Sequence, residues 1–313
     1  MRILVVGAGG IGGYFGGRLL QAKRDATFLV RERRAQQLRE SGLSIRSPAG
    51  DLKLAAPPAV LARDLPGRGF DLIVLSCKAY DLESAIDSFA PAVGAGTLIL
   101  PLLNGLKHLD TLEARFGSGA LLGGQCFISA ALDDDGTIVH FNNSHTLTFG
   151  PRTASQSAAA AAIAKEFSAA AFETRLTDSI LLEMWEKWVF IATAAGITCL
   201  MRSSIADVVC AGGVGLATAL LDECADIARQ AGFTPRPEVL QRHRAGVSAA
   251  GSPMMASMLR DIERGGRTEF EQIIGDLLHR AGSGAERRYP LLHVAYVHLG
   301  AYEARRAREH GRA

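Results

Sequence analysis

"RILVVGAGGIGGYFGGRLL", residues 2–20, decides the fold. Ile3, Leu4, Val5 and Val6 form a continuous apolar run, the pattern of a strand buried on both faces. Gly7, Gly9 and Gly12 then make G-x-G-x-x-G, with Gly10 and Ile11 inside the same turn, and residues 10–22 carry a helical pattern. The chemistry demands glycine here because the backbone must turn tightly, approach a diphosphate closely and pack the helix on the strand. The N–H groups at the helix start then face the anionic charge. Alone, such a motif is a weak signal; between a strand and a helix it marks a dinucleotide-binding unit. Gly13, Gly16 and Gly17 continue the glycine run and read as close packing contacts.

Outward from this stretch, strands and helices alternate. "ATFLVR" (26–31) reads as a second strand and "RRAQQLRE" (33–40) as a polar helix. "LSIRSPAGDLKL" (43–54) alternates around Pro-Ala-Gly and predicts a hairpin. "FDLIVLSCKA" (70–79) and "GTLILPLLNG" (96–105) are apolar strands with a helix between them, and "ISAALDDDGTIVHFNNSHTLTFG" (128–150) adds strand character around a DDDG turn. The alanine-rich residues 158–171 suit an amphipathic surface helix. This alternation implies a parallel sheet with helices on both faces. After about residue 178 strand signals vanish and Ala-, Leu-, Met- and Glu-rich helical patterns continue to the end.

The end of the second strand bears on the cofactor. An acidic residue there would bind the ribose hydroxyls of NAD. This chain has Arg31, followed by Arg33 and Arg34, and a guanidinium suits the 2′-phosphate of NADPH through charge-assisted bidentate bonds. Glu32 leaves open a solvated helix start of mixed charge. Ligands of doubly wound sheets bind beyond the carboxyl ends of strands. Lys78 and Asn104 stand at two such ends. Each alone is ordinary; together they are candidates for holding the ribose, the nicotinamide or the substrate.

Bulk properties narrow the function class. A net charge of +2 with 21% charged residues lacks the basic surface that nucleic acid requires, so no nucleic-acid partner is expected. The basic end "EARRAREHGRA" reads as a solvated helix terminus. Cys77, Cys126, Cys199, Cys210 and Cys224 show no C-x-x-C pair and no metal-ligand spacing with histidine. They suit a reducing, cytoplasmic compartment. No signal peptide is evident, and Val189–Met201 falls short of the about 20 apolar residues that cross a bilayer.

"EKWVFIATAAG" (186–196) places Lys187 ahead of an apolar helical run. Glu183 precedes it by four residues, so a surface ion pair worth about 0.3–0.5 kcal/mol is one reading. A proton donor at the edge of a buried face is the other. Glu269 is similarly ambiguous, because Thr268 and Glu271 form a T-x-x-E capping box beside it.

With these motifs in view, the chain resembles the ketopantoate reductase (2-dehydropantoate 2-reductase) family. "GAGGIG", Arg31, "CKAY", "LLNG", "MWEKW" and "ASMLRDIERGGRTE" follow the family's order at compatible spacing over nearly the whole chain. The resemblance implies an α/β fold: a Rossmann-type NADPH-binding domain over 1–177 and an all-helical substrate and catalytic domain over 178–313. It implies hydride transfer from NADPH to a 2-oxo acid, giving a 2-hydroxy acid. Carried over, Lys187 is the general acid, Glu269 orients it, and Ser257 binds the substrate carboxylate with Lys78 and Asn104 nearby. Such chemistry is self-consistent, since hydride attack builds negative charge on oxygen that an ammonium stabilises and protonates.

The chain departs from the family where relatives place amides. Ile191 and Ala195 stand one and two turns after Lys187, and Met254 lies three residues before Ser257. An apolar set there suits a 2-oxo acid or ketone with a more apolar tail. Two further readings stay open: a non-catalytic NADPH-binding sensor, and a dehydrogenase working in the oxidative direction. The helical half is a candidate homodimer surface.

Overall fold

The computed structural model of the chain describes residues 1–310. It divides into two compact units, Met1–Leu103 with His108–Leu181, and Asn104–Lys107 with the residues from Leu182 onward.

In the first unit, strands β1 (Arg2–Val6), β2 (Asp25–Leu29), β3 (Leu43–Arg46), β4 (Leu52–Leu54), β5 (Ala59–Val60), β6 (Leu72–Leu75), β7 (Leu98–Pro101), β8 (Gly123–Leu132), β9 (Ile138–Gly150) and β10 (Glu173–Leu176) form two sheets. The first is five-stranded and parallel, in the order β5-β2-β1-β6-β7. Helices α1 (Gly10–Gln21), α2 (Glu32–Ser41), α3 (Leu82–Phe89), α4 (Lys107–Phe116) and α5 (Ser157–Phe167) follow in chain order. Alternation along β1 explains the unbroken apolar strands. Ile3 and Val5 join Leu72, Val74 and Leu100 in a core with Tyr14, Phe15 and Leu19 of α1. Leu4 and Val6 point to the other face, with Ile73, Leu75 and Ile99 against Leu82, Ile86 and Phe89 of α3. Two covered faces leave no polar position.

The second sheet was not separable from the strand pattern alone. It runs β10-β9-β3-β4, with β8 paired antiparallel to β9. The expected hairpin forms its far edge, Leu43 facing Leu54. This sheet covers α1: Ile45, Ile138, Leu147 and Phe149 share the core of Phe15. Ala160, Ile163 and Phe167 of α5 join the same core, Phe167 lying 5.7 Å from the Phe149 ring, which accounts for the amphipathic pattern of that helix.

The second unit contains α6 (Ile180–Met201) from Leu182 onward, α7 (Ile205–Cys210), α8 (Val214–Gln230), α9 (Pro237–Val247), α10 (Ser257–Glu263), α11 (Asp276–Arg280), α12 (Ala285–Arg288) and α13 (Pro290–His310). From its second turn α6 is apolar nearly all round, so it sits in the middle of the bundle. Trp188, Val189, Ala192, Ile197 and Cys199 are buried. Thr193 and Thr198 satisfy their buried hydroxyls on the carbonyls of Val189 and Ala194. Gly196 lets Leu220 of α8 approach; a Cβ there would lie 2.8 Å from Leu220 Cδ2. No helix among the described residues is long and apolar enough to cross a membrane.

Candidate functional site

The glycine turn forms as its spacing predicts. Gly7 takes φ +94°, a left-handed value open to glycine, while its N–H donates to Leu29 O at 2.9 Å. A Cβ on Gly12 would lie 2.3 Å from Gly7 O and 2.1 Å from Ser76 Oγ, and one on Gly10 2.8 Å from Ala130 O. Gly9 differs: a Cβ there meets no atom within 4 Å. Gly9 is also the N-cap of α1, and no side chain caps that helix or places an acid in its first turn. The N–H groups of Gly10, Ile11 and Gly12 therefore lie at a helix start that no side chain caps, which fits a diphosphate.

Two of the three arginines after β2 point in different directions. Arg31 is the N-cap of α2 and its side chain is 72% exposed. It donates to Asp81 Oδ1 at 2.9 Å and Ser84 Oγ at 3.1 Å. Glu32 pairs with Arg63 at 3.1 Å. Arg34 turns inward instead. Its Nε donates to Ala8 O and one terminal nitrogen to Gly136 O, tying the glycine turn to the β8–β9 turn. Burial lowers its pKa. Arg34 thus braces the glycine turn, a role that three like residues in "RERR" conceal.

Lys78 and Asn104 lie a little beyond their strands. β6 ends at Leu75 and β7 at Pro101, so each residue stands three positions past a strand end. Lys78 is half-buried at the start of the turn Ala79–Asp81. Asn104 belongs to the helical unit together with Lys187, Ser257 and Glu269.

Within that unit, the neighbours Gln272 and Ile273 link three of the four. The indole Nε1 of Trp188, next to Lys187, donates to Ile273 O at 2.8 Å. The Ile273 N–H donates to Glu269 O at 3.0 Å. Gln272, 5% exposed, donates through Nε2 to Asn104 O at 2.9 Å. Ser257 is held elsewhere: the N–H of Ala256 reaches Thr198 Oγ1 at 3.4 Å, three turns beyond Lys187 on α6, about 16 Å by the helical rise. Lys187 is half-buried, Ser257 exposed, and Glu269 half-buried.

Glu183 is buried, at 8% exposed. One local expectation is corrected. Thr268 does not form a capping box with Glu271. Its N–H and hydroxyl both donate to Glu303 Oε1 at 2.6 Å, while Glu271 accepts from Tyr296. A long-range carboxylate from α13 outcompetes the local one. The segment after Phe270 is a π-helix, Glu271–Gly275, and not an α-helical first turn.

Sequence reading also missed Glu186 and Arg236. Glu186, 3% exposed beside Lys187, accepts from Arg236 through its backbone N–H at 2.8 Å, Nε at 2.8 Å and a terminal nitrogen at 2.5 Å. The pair raises the pKa of Arg236. The carboxylate in "WEKW" was visible, but its partner lies 50 residues away.

Comparison with known proteins gives a consistent result. Residues 3–154 match the sequence profile of the family described as ketopantoate reductase PanE/ApbA, and residues 179–303 match that of its C-terminal domain. The chain is 35% identical over 305 residues to the uncharacterized oxidoreductase YkpB of Bacillus subtilis, covering 97% of this chain and 99% of that one. It is 29% identical over 296 residues to 2-dehydropantoate 2-reductase of Halobacterium salinarum, covering 90% and 92%. Among solved structures, D-mandelate dehydrogenase with NADH and anilino(oxo)acetate superposes with a TM-score of 0.87 at 23% identity, covering 98% and 99%. That last likeness concerns the fold.

Proposed function

The chain belongs to the ketopantoate reductase family, and from that premise we propose that it reduces 2-dehydropantoate to pantoate with NADPH. The protein is an oxidoreductase acting on CH–OH groups. When bound, the reduced nicotinamide supplies the hydride. The diphosphate would rest on the N–H groups of Gly9, Gly10, Ile11 and Gly12, against a helix start that no side chain closes. Arg31, largely exposed, would exchange Asp81 and Ser84 for the 2′-phosphate, which is the basis for preferring NADPH to NADH.

Lys187 would give its Nζ proton to the carbonyl oxygen as the hydride reaches carbon, leaving a neutral hydroxyl and a lysine amine. Glu269 would orient the ammonium and hydrogen-bond the new hydroxyl. Asn104, Lys78 and Ser257 would hold the 2-oxo acid and the nicotinamide ribose. The observation that carries this reading is Ile273, whose N–H bonds Glu269 and whose carbonyl takes the indole beside Lys187. A general acid and its orienting carboxylate need such a common frame. Cysteines that form no disulfide, and no metal-ligating group among the described residues, support a cytoplasmic site of action.

A second reading keeps the reaction and changes the substrate. Ile191 is half-buried, Ala195 buried and Met254 half-buried where relatives place amides, which favours a more apolar 2-oxo acid. One experiment separates these readings from a non-catalytic nucleotide-binding protein. NADPH oxidation is followed with 2-dehydropantoate and with branched and aromatic 2-oxo acids, using wild type and Lys187→Ala. The expected result is turnover that Lys187→Ala lowers by about 10²–10⁴-fold. Best kcat/KM with 2-dehydropantoate supports the first substrate; best with an aromatic or branched acid supports the second. If Lys187→Ala leaves turnover of every substrate intact, Lys187 is no proton donor and the mechanism fails.

A further inference from the structure

The segment after Glu269 has an unusual backbone for its sequence. "FEQIIGDLLHR" (270–280) contains ordinary helix formers, with Gly275 as its one weak point, yet Glu271–Gly275 adopts a π-helix. Such a turn is rare and has poorer internal packing than an α-turn, so tertiary contacts must select it. Three contacts do so. Trp188, 1% exposed, donates its indole N–H to Ile273 O at 2.8 Å. Gln272 donates to Asn104 O at 2.9 Å, and Gly105 beside it, at φ +73°, would place a Cβ 2.7 Å from Gln272 O. The guanidinium of Arg280 lies 5.7 Å from the Trp188 ring and bonds Asp276 at 3.0 Å, closing the far side of the turn.

We infer that Trp188 is a positioning residue for the reaction: its indole N–H selects the π-turn that holds Glu269 in register with Lys187. The inference rests on the reading of Lys187 and Glu269 given above. The path is short. Trp188 is bonded to Lys187 along the chain, its indole holds Ile273 O, and the Ile273 N–H holds Glu269 O at 3.0 Å. Both partners of the indole bond are buried, Trp188 at 1% and Ile273 at 4%, so water does not replace the indole proton easily. Without it, the Ile273 carbonyl loses a buried hydrogen bond, and an α-turn becomes the better alternative for residues 271–275. Such a change of turn shifts the start of the helix, where Glu269 sits.

Trp185 is the control. It is 3% exposed on the same helix, with its ring 4.9 Å from Trp188 and stacked 5.4 Å from Phe233, and it makes no bond to the π-turn. Trp188→Phe, Trp185→Phe and Lys187→Ala are compared by kcat, KM for NADPH, KM for the 2-oxo acid, the pH profile of kcat and thermal unfolding. Trp188→Phe is expected to lower kcat by about 10–100-fold, the scale of a small misplacement. It should also move the basic limb of the kcat profile and leave KM for NADPH unchanged. Trp185→Phe should lower Tm with kcat and its profile intact. Wild-type kcat and pH profile in Trp188→Phe, or equal changes in both Trp variants, would overturn the inference. Full turnover in Lys187→Ala would instead remove the underlying reading. If Trp188→Phe does not fold, benzothienylalanine at that position keeps the bicyclic shape and deletes only the N–H, and the same two outcomes decide.

Discussion

At the residue scale, Gly9 and Gly12 look alike in the motif but are required for different reasons. Gly12 is demanded by the chain itself, since a Cβ would sit 2.3 Å from a backbone carbonyl that cannot move without moving the turn. Gly9 has no protein atom to meet within 4 Å, so only a bound diphosphate would be crowded by a methyl group there. Gly12→Ala is therefore expected to cost about 1–3 kcal/mol of stability and to weaken NADPH binding. Gly9→Ala should unfold close to wild type, with at most the loss of a favourable N-cap, yet bind NADPH more weakly. Calorimetric titration with NADPH beside thermal melts reads both quantities, and wild-type affinity in Gly9→Ala would remove Gly9 from the nucleotide site. The glycine turn was legible because glycine spacing records backbone demands directly. The arginines were not, because side-chain direction leaves no trace in "RERR": Arg31 lies outside against Asp81, and Arg34 lies inside against Ala8 O.

At the scale of elements, helix α6 joins the chemistry to the bundle through a buried ion pair. Glu186 has a side chain 4% exposed and relies on Arg236 for all three of its hydrogen bonds. Removing one member of such a pair strands a buried charge, which costs about 3–5 kcal/mol. Arg236→Ala keeps the backbone N–H bond, and its side chain was 41% exposed, so its loss belongs at the low end, about 3 kcal/mol. Replacing both residues, Glu186→Leu with Arg236→Leu, should recover part of that loss because no charge is left buried. Urea denaturation of the three variants measures this, and a double variant less stable than Arg236→Ala alone contradicts it. What the pattern revealed at this scale was local: strand runs, the hairpin from Leu43 to Leu54, and the long helix around Lys187. What it concealed was non-local. Thr268 and Glu271 have the spacing of a capping box, but Glu303 from another helix takes the Thr268 hydroxyl. The π-turn and the second sheet likewise depend on partners far away in sequence.

At the scale of the whole molecule, the response to acid follows from two histidines that resist protonation, one in each unit. Burial lowers the pKa of His145, with His140 and Arg18 adding to the effect and Glu173 opposing it. Burial pushes His243 down further, to about 4, against the attraction of Glu186 and with a small contribution from Arg242. Its Nδ1 has no hydrogen-bond partner, and its ring lies 4.9 Å from Phe190. The ordinary histidine value is 6.5, so between pH 6.5 and about 4 the unfolded chain binds a proton at this position that the folded chain refuses. Stability is governed by that difference in bound protons, so it is complete above pH 6.5, falls through this window, and stops falling once the folded state also protonates. His145 acts with the same sign in the other unit, which makes acid a global stress. His243→Phe would keep a ring against Phe190 and remove one of the two contributions. The variant should therefore lose less Tm than wild type when the pH is lowered from about 7.5 to about 5, while the His145 contribution persists. Parallel melts at the two pH values provide the measurement, and an equal loss of Tm in both proteins would mean that His243 already ionises freely in the folded state.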